Sequence, residues 1–147
     1  MRSESGMNSF QESLNDLLKE TGISRLKLAQ TINISSTTIN GYFNKDYYPQ
    51  IEIAIKIAKF FNCSLDYLFG ISSSRELVNK NTKSFFENFN FLLKQSNKSI
   101  AKTLKELQMS EYNYYRWKSG DFPKTVNIIA IAKYFDVSID YLIGYTK

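Results

Sequence analysis

The sequence predicts an all-α chain built as two tandem five-helix bundles. Three observations carry that expectation. Glycine and proline are scarce, six and two in 147 residues, which favours helices over a turn-rich β fold. Apolar residues recur at helical spacing. One unit of about 60 residues is written twice. IKIAKFFNCSLDYLFG (55–70) lies over IAIAKYFDVSIDYLIG (129–144) with ten identities in sixteen positions. Upstream, Phe10, Leu14, Leu17 and Leu18 match Phe85, Phe89, Leu92 and Leu93 at an offset of 75. The offset falls to 74 past the prolines, because DYYP (46–49) is one residue longer than DFP (121–123). Two units, each with its own apolar faces, indicate tandem domains rather than a solenoid. The expected bounds are 7–71 for the first domain, 72–83 for a serine-rich linker and 84–147 for the second.

Each element follows from local chemistry. The first helix, 9–21 and again 84–96, carries its apolar residues at i, i+4, i+7 and i+8. Ser24 and Ser99 cap a second helix that ends near Ile32 and Leu107. Ser35 and Ser110 cap a third, ending near Phe43 and Lys118. A turn-forming loop follows, in which Tyr47, Tyr48 and Phe122 are expected to cover the core. The fourth helix, 51–61 and 125–135, is apolar almost all round and is expected to be central. The fifth, SLDYLFG or SIDYLIG, starts on serine, places Asp66 or Asp140 in its first turn and stops at Gly70 or Gly144. So short a helix has no stability of its own in water and must be held by packing. Both aspartates therefore read as helix-start residues and not as catalytic carboxylates. Within the linker, Arg75–Val78 is expected to form a helical turn.

Composition narrows the function classes. The net charge is +5, and all of the excess lies in residues 75–147, with twelve Lys/Arg against seven Asp/Glu. A basic balance suits a polyanion such as nucleic acid, and equally a lysine-rich solvated surface. There is no histidine, and Cys63 is the single cysteine, so the common zinc-ligand sets and the usual base and nucleophile pairs are missing. No enzyme activity, cofactor or metal is expected. Cys63 takes the place of Val137 and reads as a core residue. No apolar run approaches a membrane span, and MRSESGMNSF lacks the apolar centre of a signal peptide, so a cytoplasmic, nucleoid-associated location without membrane contact is expected.

The chemistry-bearing stretch is SRLKLAQTINISSTTINGYFNK (24–45). It places a short amphipathic helix, a tight turn at Asn33-Ile34 and a second short helix in sequence. Ala29 is small where two helices cross, and Asn33 suits the left-handed conformation. With Ile34 and Ile39 directed inward, the third helix keeps Ser36, Thr37, Asn40 and Gly41 outward. Taken alone, these are residues of an ordinary solvated helix face. Short polar side chains also let a helix sit deep in a major groove, where Ser and Thr reach base edges.

This segment resembles the helix-turn-helix of the Cro/cI repressor-like (XRE-type) family. The resemblance covers nearly all of both units. It rests on Ser24, Ala29, Ser35 and Ile39, on the proline-marked loop, and on the closing S-[LI]-D-Y-L-x-G. It implies two lambda-repressor-like domains whose third helix enters the major groove of double-stranded DNA. By that resemblance Ser36, Thr37, Asn40 and Gly41 read bases. Arg25 touches phosphate or supports a base contact, and Tyr42, Asn44 and Lys45 meet phosphates. The implied function is a sequence-specific transcriptional regulator, a bacterial or phage repressor.

The second unit departs from the pattern in SIAKTLKELQMSEYNYYRWKSG (99–120). Ile100 replaces Arg25, Leu104 replaces Ala29, and the outward third-helix residues become Glu111, Tyr112, Tyr115 and Arg116. Two readings stay open. This unit contacts DNA chiefly through phosphates, with Lys102, Lys105, Tyr112, Arg116 and Lys118 as the contact residues and Arg116 as a reader of guanine. Alternatively its tyrosine-rich helix is a protein interface, for a homodimer or for another partner. The chain would in that case be an interaction module or antirepressor that keeps the fold. Trp117 and Tyr42 read as packing anchors as well.

Overall fold

In the computed structural model, residues 9–44 and 48–147 are described. Among them every regular element is an α-helix. The chain divides into two compact units, one ending at Leu77 and the next beginning at Val78. The first holds α1 (Ser9–Thr21), α2 (Arg25–Ile32), α3 (Ser36–Asn44), α4 (Ile51–Phe61) and α5 (Leu65–Leu68). The second holds α6 (Phe85–Ser96), α7 (Ile100–Glu106), α8 (Glu111–Lys118), α9 (Thr125–Phe135) and α10 (Ile139–Ile143).

The helix ends obey the serine and left-handed-residue chemistry written into both copies. Ser24, Ser64, Ser84, Ser99, Ser110 and Ser138 each accept a backbone N–H in the first turn that follows. Ser84 and Glu87 complete a reciprocal capping box. Positive φ recurs at matched places in the two units: Gly22 and Asn97, Asn33 and Gln108, Asn62 and Asp136, Gly70 and Gly144. At Gly144 a Cβ would lie 2.2 Å from the Lys83 carbonyl oxygen, so the chain closes there only on glycine.

Each core is assembled from the inner faces of its own helices. In the first unit Phe10, Leu14, Leu28, Ile39, Ala54, Ile57, Leu65 and Leu68 are fully buried. Each large apolar member contributes about 1.5–3 kcal/mol. In the second unit Phe89, Leu104, Ile128, Ile131, Ile139 and Leu142 take that role. Cys63 lies in the core, and Asp66 and Asp140 are buried in the first turns of α5 and α10. Helices α4 and α9 are more one-sided than their composition suggests. Glu52, Lys56 and Lys59 on α4 are exposed while Ile51, Ala54, Ile57 and Ala58 are buried. Tyr48 packs edge-on against Phe69, but Phe122 is 41% exposed and does not cover its core. Tyr47 lies outside the described residues.

The serine-rich stretch is not a helical turn at Arg75–Val78. Residues 74–84 carry no helix, and the segment is bound to whichever unit it adjoins. On the first unit, Ser64 N donates to the Arg75 carbonyl and Ser64 Oγ to that of Ser74. Arg75 makes a bidentate pair with Glu20 at 2.6 and 2.7 Å and lies over the Tyr67 ring. On the second unit, Asn79 Nδ2 donates to the carbonyls of Asp140 and Tyr145. Asn81 donates to Asn88 Oδ1, and buried Asn88 donates to the carbonyls of Lys83, Tyr141 and Leu142. Backbone carbonyls at a helix end need such donors, and the side-chain amides supply them.

Two outcomes follow. The hydrogen bonds from Arg75, with its charge beside them, hold the Glu20 carboxyl below its ordinary value of 4.5. A group whose folded pKa is depressed stabilises the fold above its unfolded pKa, and that contribution is lost as pH falls through the folded value. The stability difference between the wild type and Arg75→Gln, read from urea midpoints, is therefore expected to be larger well above pH 4.5 than well below it. A difference independent of pH would exclude the ion pair as a fastening of this segment. The second outcome concerns Thr103, which fills the place of Leu28 and is fully buried, with no partner for its hydroxyl among the described residues. An unpaired buried hydroxyl costs about 1–3 kcal/mol, so Thr103→Val should raise the stability of the second unit by about 1 kcal/mol. A drop in denaturation midpoint would show that the hydroxyl is satisfied.

Candidate nucleic-acid interface

The geometry of the α2–α3 corner is built from its two caps and one left-handed residue. Ser24 Oγ accepts from Lys27 N and starts α2. Asn33 ends it at φ 59° and ψ 47°, and Ile34 N donates back to the Ala29 carbonyl at 2.9 Å. Ser35 Oγ accepts from Thr38 N at 3.1 Å and starts α3. Ala29 is buried where the two helices meet. Ile39 and Tyr42 are the buried residues of α3. Tyr42 sits edge-on to Phe10 at 5.5 Å, and its carbonyl accepts from Gln11 Nε2 on α1.

That seating decides which side chains face solvent. Thr37, Asn40 and Asn44 are exposed, and Ser36 and Gly41 are half-buried on the same flank. Arg25 is exposed at the start of α2. It reaches across to α3, with Nη1 3.4 Å from Asn40 Oδ1 and its guanidinium carbon 3.8 Å from the Phe43 ring centroid. Sequence reasoning missed Phe43 as the platform beneath Arg25. The signal available was an aromatic at the end of α3, but its reach to the start of α2 depends on how the two helices cross. Tyr42 corrects an expectation. At 2% exposure its side chain is a core residue, and it has no surface with which to reach a phosphate. Lys45 lies outside the described residues. The structure thus brings Arg25, Ser36, Thr37, Asn40, Gly41 and Asn44 to one corner and removes Tyr42 from it.

The second unit repeats the backbone with other side chains. Gln108 takes the left-handed position at φ 59°, Met109 N donates to the Leu104 carbonyl, and Ser110 caps α8. Trp117 fills the place of Tyr42 and packs edge-on against Phe85 and Phe89 at 5.4 and 5.5 Å. Tyr114, half-buried, donates its hydroxyl to Asn90 Oδ1. The outward residues are Glu111, Tyr112, Tyr115, Arg116 and Lys118, with Tyr112 and Tyr115 at 69% and 66% exposure. Ile100, where the first unit has Arg25, is half-buried.

The lysines around α7 are not equivalent. Lys102 and Lys105 are exposed. Lys98 is engaged: its Nζ donates to Tyr134 Oη and to Glu106 Oε1, both at 2.9 Å, and the Tyr134 hydroxyl donates to the same carboxylate. Bonds from Tyr134 and then Lys98 push the Glu106 pKa down, and bonds to Tyr134 and then Glu106 push that of Lys98 up. Arg116 Nε is 3.2 Å from Asp121 Oδ2, an exposed pair of modest strength. Among the described residues, no group of three or more Cys, Asp or Glu side chains could hold a metal ion. No helix among them is long and apolar enough to cross a membrane.

Comparison with known proteins agrees with the architecture of the first unit. An uncharacterized HTH-type transcriptional regulator of Rickettsia prowazekii (strain Madrid E) is 40% identical over 60 residues, covering 38% of this chain and 65% of the relative. A protein with the same description from Rickettsia conorii (strain ATCC VR-613 / Malish 7) is 38% identical over 60 residues, covering 38% of this chain and 55% of the relative. The chain thus spans less than two thirds of the length of either relative. No solved structure matches it. Residues 14–68, which run from α1 through α5, match the helix-turn-helix family HTH_3.

Proposed function

We propose that the protein is a sequence-specific double-stranded DNA-binding transcriptional regulator, a repressor of bacterial or phage type, acting in the cytoplasm at the nucleoid. Its first unit reads the major groove with α3. One observation carries this reading: in a unit that matches a helix-turn-helix family, α3 turns a flank of short polar side chains outward, Ser36, Thr37 and Asn40, with no bulky residue among them. Such a flank can approach base edges closely enough for direct hydrogen bonds. Arg25 and Asn44 border it and supply donors for phosphates.

The second unit, taken as a further helix-turn-helix-like domain in tandem with the first, serves one of two roles. Exposed Lys102, Lys105 and Lys118 support contact with DNA backbone, since they need only charge and reach. The exposed Tyr112 and Tyr115 favour a second reading, in which α8 is the surface for a homodimer or another protein.

Selection of bound duplexes from a random DNA pool tests the main reading. A defined sequence should emerge, and its affinity should fall steeply with salt. The double variant Ser36→Ala/Thr37→Ala should lose specific affinity while its helical circular dichroism is kept. Unchanged affinity would remove α3 as the reading helix. Lys102→Ala and Lys105→Ala should each lower the slope of log affinity against log salt by about one if the second unit touches DNA. An unchanged slope, together with a dimer in size-exclusion chromatography that Tyr112→Ala/Tyr115→Ala splits, would assign α8 to protein contact.

A further inference from the structure

We infer that Arg25 is a positioning residue that makes Asn40 select guanine over adenine at one base pair. The inference rests on the DNA-reading role proposed for α3. A guanidinium has five donors and no acceptor, so only the oxygen end of the Asn40 amide can face it. Arg25 Nη1 lies 3.4 Å from Asn40 Oδ1 in that sense. The guanidinium carbon lies 3.8 Å from the Phe43 ring centroid, so the ring gives the cation a fixed seat over the outer flank of α3. Asn40 is exposed, and with Oδ1 facing the guanidinium its Nδ2 end is the one not engaged by Arg25.

The consequence is a surface dominated by donors. Asparagine usually reads adenine with both ends of its amide, Nδ2 donating to N7 and Oδ1 accepting from the N6 amino group. Oδ1 keeps a second lone pair here. An adenine amino group that sought it would have to approach the guanidinium, a donor meeting donors beside a positive charge. Guanine presents N7 and O6 at the same places, both acceptors. The two N–H groups of Asn40 Nδ2 can donate to that pair, while Arg25 only holds the amide in this sense. The second unit has no such arrangement, because Ile100 and Tyr115 stand at the matching positions.

Pool selection with the wild type, Arg25→Ala, Arg25→Lys and Asn40→Ala tests this. The wild type should enrich a G·C pair at a position where both Arg25→Ala and Asn40→Ala lose the preference. At that position the ratio of affinity for guanine over adenine should fall about tenfold in Arg25→Ala, the order of one base contact. The preferences lost in Ser36→Ala/Thr37→Ala should be kept. Arg25→Lys, which retains charge without the planar fork, should recover phosphate affinity but not the ratio. An Arg25→Ala protein that binds guanine and adenine sites more weakly by the same factor would leave Arg25 a phosphate contact alone and overturn the inference. A wild-type preference for adenine at the Asn40 position would overturn it too. A wild-type protein that enriches no duplex at all would instead remove the DNA-reading role itself, before any variant is compared.

Discussion

The seating of the third helix by one inward aromatic is the contact on which the rest of each unit depends. Tyr42 in the first unit and Trp117 in the second are buried at matched positions. Both pack edge-on against phenylalanine on the first helix of their own unit, Phe10 in one case and Phe85 with Phe89 in the other. Large aromatic rings tolerate few rotations in a close-packed interior. Once the ring is placed, the helix cannot roll about its own axis, and its opposite flank is committed to solvent. In the first unit the Gln11 bond to the Tyr42 carbonyl reinforces this at the point where α3 ends.

The same frame presents two different surfaces. Both third helices start on a capping serine after a left-handed residue, so the backbone of the corner is shared. The exposed flank changes from Ser36, Thr37 and Asn40 to Glu111, Tyr112 and Tyr115. Short polar side chains give way to an acidic residue and two large exposed rings. The cations are also divided. Lys98 and Arg116 spend their charge on Glu106 and Asp121, while Lys102 and Lys105 remain on the exposed side of α7. One backbone arrangement thus carries two chemically different exposed faces.

Much of this was legible before any coordinates. The helix ends are local matters of serine hydroxyls and of residues that tolerate positive φ, and both recur at fixed offsets along the chain. The apolar spacing of Phe10, Leu14, Leu17 and Leu18 named the inner face of α1, and all four are buried. The candidate reading flank was legible for a related reason, since Ile39 fixes which side of α3 is inward. Three matters were misread. Tyr42 was counted as a phosphate contact as well as an anchor, because a tyrosine sequence position does not say whether its ring or its hydroxyl wins. Residues 75–78 were expected to form a turn, yet the Arg75 carbonyl accepts from Ser64 at the start of α5 and the Arg75 side chain pairs with Glu20. Phe122 was expected to cover its core, yet it stands 41% exposed.

The sequence by itself determined the helical class, the two-fold repetition, the helix boundaries and the polar character of α3, because each rests on contacts within a few residues or on simple periodicity. Only the tertiary structure decided that Arg25 rests on Phe43 beside Asn40, that Tyr42 is sealed, and that asparagines 79, 81 and 88 fasten one segment to α10. Those are side-chain pairings between residues distant in the chain or across a helix crossing. Their geometry depends on how whole helices pack, which no local pattern encodes.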